Sequence, residues 1–192
     1  MQFLIDLWLP ILVSAIAVFF ASSIAWTISP HHKKDFAPAP DEDGLMSAIR
    51  ALGLKPGRYG FPFCHSKAQH KDPAFIKKWE DGPSGMLNVW PHFSMGRNMA
   101  LTFLVFLAVS VLIGYLAHQV LRSGDDFSRV FQVVGTAGIL AYCFSFLPNT
   151  IWFNGGGRAA LMCFIDGVVF GLVTGAVFAY FWPDALSNLP QL

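Results

Sequence analysis

The residue best placed to do chemistry in this 192-residue chain is Asp166, a lone carboxylate inside the apolar stretch Ala159 to Trp182. On a helix over that stretch it sits about 10 Å from the start, at the usual rise per residue. A carboxylate at such depth in a membrane is costly and marks either a structural hydrogen bond or ion handling. Counting about seven residues inward from the same end of each apolar segment places Ser22, Ser23, Val105, Phe106, Tyr142 and Cys143 at its level. No Lys, Arg or His is among them. An unpaired carboxylate in low dielectric keeps its proton. The expectation is a neutral Asp166 that donates to Ser22, Ser23 or Tyr142.

The remaining chemically capable residues are less organised. Asp6 and His118 fall at the opposite membrane level, where interfacial solvation accounts for both. A lone histidine there lacks the partners that a haem or metal centre needs. Cys64, His65 and His70, with His31, His32 and His92, are metal-capable types. No HExxH or CxxC motif organises them, and loop packing and solvation account for them. Gly155-Gly156-Gly157-Arg158 reads as a flexible turn rather than a phosphate site. The chain has no GxxxxGK[ST], GxSxG or GxGxxG, which removes the usual signatures of nucleotide and acyl-transfer enzymes. No catalytic, cofactor-binding or metal-binding residue is therefore assigned, and a non-enzymatic role is favoured. Of the three cysteines, Cys143 and Cys163 lie in apolar segments and act as small hydrophobes.

The elements that position Asp166 follow from composition. Hydrophobic residues make up 54% of the chain and charged ones 13%, against about 25% charged in a globular domain. That is a membrane protein. A net charge of +1 gives no pull toward nucleic acid. Four apolar segments are long enough to span: Phe3 to Ile28, Asn98 to Leu121, Val130 to Leu147, and Ala159 to Trp182. The first has no basic residue before or within it, so it lacks the n-region of a secretory signal and is expected to remain as a helix. Ser29-Pro30 ends it, and His31-His32-Lys33-Lys34 follows as a basic cluster at headgroup level. Arg122 to Arg129 joins the second and third segments into an antiparallel hairpin. The third stops at Pro148-Asn149, leaving a loop to Arg158.

Small residues at helical spacing predict close packing on three of these segments. They are Ala17, Ala21 and Ala25 on the first, Ser110 and Gly114 on the second, and Gly167, Gly171 and Gly175 on the fourth. Residues 30–97 form the extended polar region. Asp41 opens a helix that runs to Leu52 and closes at Gly53 and Pro56. Asp72-Pro73 caps and begins a second helix. Met86 to Trp90 reads as a short strand, and the part from Pro56 to Asp72 as irregular. Such a block buries little core alone and is expected on the membrane surface.

Ten of the 13 basic residues lie between Lys33 and Arg97, and Arg158 shares their side. The positive-inside rule makes that side cytoplasmic, with both termini outside. Pro30-His31-His32-Lys33-Lys34-Asp35-Phe36, Pro40-Asp41-Glu42-Asp43, Pro56-Gly57-Arg58-Tyr59-Gly60-Phe61-Pro62, Gly82-Pro83-Ser84-Gly85, Ser94-Met95-Gly96 and Asn149-Thr150-Ile151-Trp152 together resemble a family of small uncharacterised bacterial inner-membrane proteins. The resemblance spans the chain. It implies an inner-membrane location and architecture, and contributes no catalytic residue.

The sequence thus predicts an all-α, four-transmembrane up-down helix bundle with a small cytoplasmic surface region between helices 1 and 2. Its parts are 1–29, 30–97 and 98–192. The leading functional expectation is an accessory or scaffold protein, in contact with the lipid bilayer, that packs against a membrane-protein partner or itself and carries no cofactor. The alternative is a small transporter or proton-conducting protein using Asp166.

Overall fold

The computed structural model describes residues 2–153 and 156–184. Along the chain lie α1 (Gln2–Asp6), α2 (Trp8–Thr27), a 3-10 turn (Pro30–His32), α3 (Glu42–Ala51), β1 (Gly57–Phe61), a second 3-10 turn (Gln69–Lys71) and α4 (Pro73–Asp81). Then come β2 (Gly85–Val89), α5 (Met95–Val120), α6 (Phe127–Cys143), α7 (Leu147–Trp152) and α8 (Gly157–Tyr180). Four stretches are long and apolar enough to cross a membrane: Trp8–Thr27, Met95–Val120, Phe127–Trp152 and Gly157–Tyr180. The protein is a multi-pass membrane protein. Residues 38–94 form a separate compact unit.

Two apolar segments differ from expectation, each because of a proline. The first is broken at Leu7 into α1 and α2, because Pro10 has no N–H to give the Asp6 carbonyl one turn back. The Leu7 and Ile11 amides still donate to Phe3 and Leu7, at 2.9 and 3.0 Å, and carry the chain across the break. In the third segment Pro148 does not end the helical structure. It lies in the first turn of α7, where a missing N–H leaves no bond unmade.

The tightest packing in the bundle is between α6 and α8. Gly167, Gly171 and Gly175 turn toward α6, which presents Gly135 and Gly138 in return. A Cβ on Gly171 would lie 2.5 Å from the Ile139 nitrogen, and one on Gly175 2.9 Å from the Gly135 Cα. The glycine ladder is used inside the chain. On α2 the buried face is Ile11, Ser14, Ala15 and Val18, with Ala25 further on, and Ala17 and Ala21 sit half-buried at its margin. Gly114 of α5 lies beneath the Ile11 side chain.

The apolar core is gathered at one end of the bundle, where Leu7, Ile11, Ile113, Val130, Val134 and Phe178 pack together. Toward mid-span, Ser14 of α2 and Ser110 of α5 are both buried, with their hydroxyls 2.5 Å apart. Ser110 also donates to the Ile11 carbonyl at 2.9 Å. Bonds of this kind between membrane helices contribute about 0.6–1.7 kcal/mol. Ser110→Ala should destabilise the bundle by that amount in SDS titration of bicelle-embedded protein. Adding Ser14→Ala should cost little more, because the shared bond is already gone.

In the second unit, Asp41 accepts from the Gly44 amide at the start of α3, and Asp72 accepts from the Ala74 amide at the start of α4. Gly53, with φ of 62°, follows α3 in the left-handed region. β1 pairs antiparallel with β2, setting Gly57 opposite Val89 and Phe61 opposite Gly85. That corrects the irregular reading of Gly57 to Phe61. Its two glycines hide the alternation that marks a strand, and its partner supplies the ladder.

Candidate functional site

The other end of the bundle is closed by charge. After α2 the chain passes Ser29 and Pro30 into the 3-10 turn, whose fold-back lays the His32 imidazole flat on Trp26, with centroids 3.9 Å apart and planes within 4°. This brings both histidines of the turn to α8. His31 Nε2 lies 3.0 Å from Asp166 Oδ1, and His32 Nε2 lies 2.7 Å from Asp166 Oδ2. The second nitrogen of each ring is also engaged: His31 Nδ1 by the Ser29 hydroxyl, and His32 Nδ1 by Asp35 Oδ2 at 2.5 Å. Arg158, in the first turn of α8, donates to Asp35 Oδ1 at 2.5 Å and to the His31 carbonyl at 2.6 Å. Asp166, both histidines, Asp35 and Arg158 form one connected network.

The hydrogen-bond inventory favours a charged His32. His32 faces a carboxylate at each nitrogen, and carboxylates only accept, so both nitrogens donate and the ring is an imidazolium. Burial works against that charge. The hydrogen bonds from Asp166 and Asp35, with the attraction of both carboxylates, outweigh it and hold the His32 imidazole above its ordinary range. His31 meets Asp166 through Nε2 and the Ser29 hydroxyl through Nδ1, and a hydroxyl can serve either form of the ring. Two carboxylates then balance an imidazolium and a guanidinium. The His32 side chain is 3% exposed, Asp35 4% and Asp166 11%, while Arg158, 44% exposed, carries the network out to solvent.

This overturns the expected partners of Asp166. It does not meet Ser22, Ser23 or Tyr142; its two oxygens face the Nε2 atoms of His31 and His32. The Ser23 hydroxyl donates instead to the Phe19 carbonyl at 2.9 Å, Ser22 is half-buried, and the Tyr142 ring packs edge-on against Phe106 and Phe170. The depth count failed because it covered helical residues only. The histidines lie beyond the end of α2 and reach Asp166 through the fold-back.

The other candidates lie elsewhere. His118 Nε2 is 3.6 Å from Asp6 Oδ2 at the opposite end, both partly exposed. Cys64, His65 and His70 belong to the separate unit. There the Cys64 thiol donates to Ser66, and the histidine rings lie against Phe63 and Phe75. Arg158, read as part of a flexible turn, anchors the network; Gly155 of that turn lies outside the described residues, as does the tail from residue 185. Among the described residues, one group of three or more His, Cys, Asp and Glu ligands converges closely enough to hold a metal ion, and it is His31, His32 and Asp166.

No family model, curated protein or solved structure matches the chain. The cluster's signal in the sequence was the single pair of adjacent histidines, set directly after a spanning helix, in a chain whose intramembrane carboxylate needed a partner.

Proposed function

We propose that this multi-pass membrane protein takes up a cation at the His31, His32 and Asp166 cluster, and belongs to the class of small transporters or ion-conducting proteins. The observation that carries the reading is the geometry of Asp166, whose two oxygens each face an imidazole nitrogen at the end of the bundle. Intramembrane carboxylates with such partners mark ion pathways. The glycine ladder of α8 meets α6 of the same chain, so it is not a free face for a scaffold partner. The concentration of basic residues in 30–97, with Arg158, supports a cytoplasmic placement for this end. The resemblance noted above supports a bacterial inner membrane.

Reconstitution into proteoliposomes tests the proposal. Wild type should move protons, an alkali cation or a divalent cation into vesicles carrying the matching dye, and Asp166→Asn should lower the rate at least about tenfold, the loss expected when an essential acid–base or ligand group is removed. Equal rates in wild type, Asp166→Asn and empty vesicles would remove the reading.

A second reading, an accessory subunit beside a membrane partner, is favoured by a lateral groove of about 500 Å³ between α5 and α6, walled by Ile113, Leu116, Val133, Ala137 and Leu140. Recovery of the chain alone after purification in mild detergent would argue against it.

A further inference from the structure

We propose that His31 Nε2, His32 Nε2 and one oxygen of Asp166 bind a single divalent transition-metal ion of the zinc, cobalt(II) or iron(II) class. The inference rests on the cation reading above and names the cation.

The donor atoms already converge: one from each residue lies within 4.8 Å of the others. Two ligands of a tetrahedral ion held at about 2.0–2.2 Å lie about 3.3–3.6 Å apart. The widest of these separations therefore closes by up to about 1–1.5 Å when the ion is taken up. His31 Nε2 lies 3.0 Å from Asp166 Oδ1 and His32 Nε2 2.7 Å from Oδ2, so the carboxylate turns to offer one oxygen to an ion between the rings.

The outer contacts match what a metal site requires. A metal-bound histidine gives its other ring N–H to a fixed acceptor, which sets the tautomer and aims the free lone pair. His32 Nδ1 has Asp35, itself held by Arg158. His31 Nδ1 has the Ser29 hydroxyl, which can either donate or accept. On metal binding, the Nε2 proton of His32 leaves to solvent and its lone pair takes the ion. His31 shifts its proton from Nε2 to Nδ1, with Ser29 turning from donor to acceptor. Stacking on Trp26 limits how far the His32 ring moves on metal binding.

Ligand chemistry selects the class. Two imidazoles with one carboxylate suit borderline divalent ions with open coordination positions, whereas magnesium and calcium take oxygen ligands. Three protein ligands leave a position free, and His31, 27% exposed, marks the open side. An ion held in this way can exchange. Haem does not fit, because the two rings are chain neighbours 4.3 Å apart and leave no room for a macrocycle between them.

The test uses the full chain carrying an affinity tag without histidines, purified in mild detergent and stripped with chelator. Cobalt(II) titration followed by its visible absorption, and zinc competition against a chelating dye, should give one ion per chain. His31→Gln, Asp166→Asn and His32→Gln should each weaken binding at least about 100-fold. Asp35→Asn, which removes only an outer contact, should cost about 10–100-fold. Cys64→Ser with His70→Ala should leave binding unchanged. His31→Gln keeps the His32 bridge between Asp35 and Asp166, so it reports on ligation even if the more buried variants do not fold. Absence of stoichiometric cobalt or zinc in wild type, or wild-type affinity in monodisperse His31→Gln, would overturn the inference. If that happens while Asp166-dependent flux of protons or alkali cations persists, the metal assignment falls and the cation reading stands. Loss of both would sink both.

Discussion

Gly171→Ala is expected to destabilise the bundle by about 1–3 kcal/mol, the range for overpacking a tight interface, and Gly171→Leu to prevent α6 and α8 from docking. The added Cβ would lie 2.5 Å from the Ile139 nitrogen and 2.9 Å from the Gly138 carbonyl carbon. Both are backbone atoms and cannot rotate aside. Relief requires the helices to part by about 1 Å, the shortfall from a normal carbon contact. Parting at this point also forfeits contact at Gly167 and Gly175, because all three glycines face the same helix. Gly157→Ala serves as the control. Its Cβ would meet nothing within 4 Å, and alanine is the better helix former by up to about 1 kcal/mol. SDS titration of bicelle-embedded protein should order the variants Gly157→Ala at or above wild type, then Gly171→Ala, then Gly171→Leu. Because α8 also carries Asp166, Gly171→Leu should lose cation binding with its fold. A Gly171→Ala variant as stable as wild type would mean that the α6–α8 interface is looser than the structure shows.

The sequence made this interface legible because glycine spacing is a local signal. A four-residue repeat on one apolar segment names a helix face without reference to its partner, and Gly135 and Gly138 stood on the facing segment. The four spans were equally local. The charged cluster was not. His31 and His32 are 135 and 134 residues from Asp166 in the chain, and they meet it from a 3-10 turn that no hydrophobic periodicity describes. Depth matching pairs helix with helix, so it returned hydroxyls where the fold supplies imidazoles. Proline set a second limit. Pro148 predicted a stop but occupies the first turn of α7, because the same missing N–H is harmful inside a helix and harmless at its start. β1 was hidden for a related reason: a strand built on Gly57 and Gly60 takes its identity from β2 rather than from its own alternation.

His32→Ala is expected to be the most damaging change at the charged end, costing about 3–5 kcal/mol, as removal of one partner from a buried ionic network does. It deletes a side chain only 3% exposed that joins Asp35 to Asp166, and it removes the surface stacked on Trp26. Asp35 would keep Arg158, and Asp166 would keep His31, but the ring that joins the two carboxylates would be gone. The sign of the coupling separates a network from independent contacts. If His32 and Asp166 stabilise one another, Asp166→Ala should cost less in a His32→Ala background than in wild type, by about 0.5–3 kcal/mol. The same cycle at Asp6 and His118 should give less than about 1 kcal/mol, because that pair is 3.6 Å apart with side chains 26% and 38% exposed. Both cycles belong in chelator-treated protein, where no metal ion adds its own stabilisation to the folded state. Independent costs at His32 and Asp166 would reduce the cluster to separate contacts and remove the ground for treating this end of the bundle as the place where the protein acts.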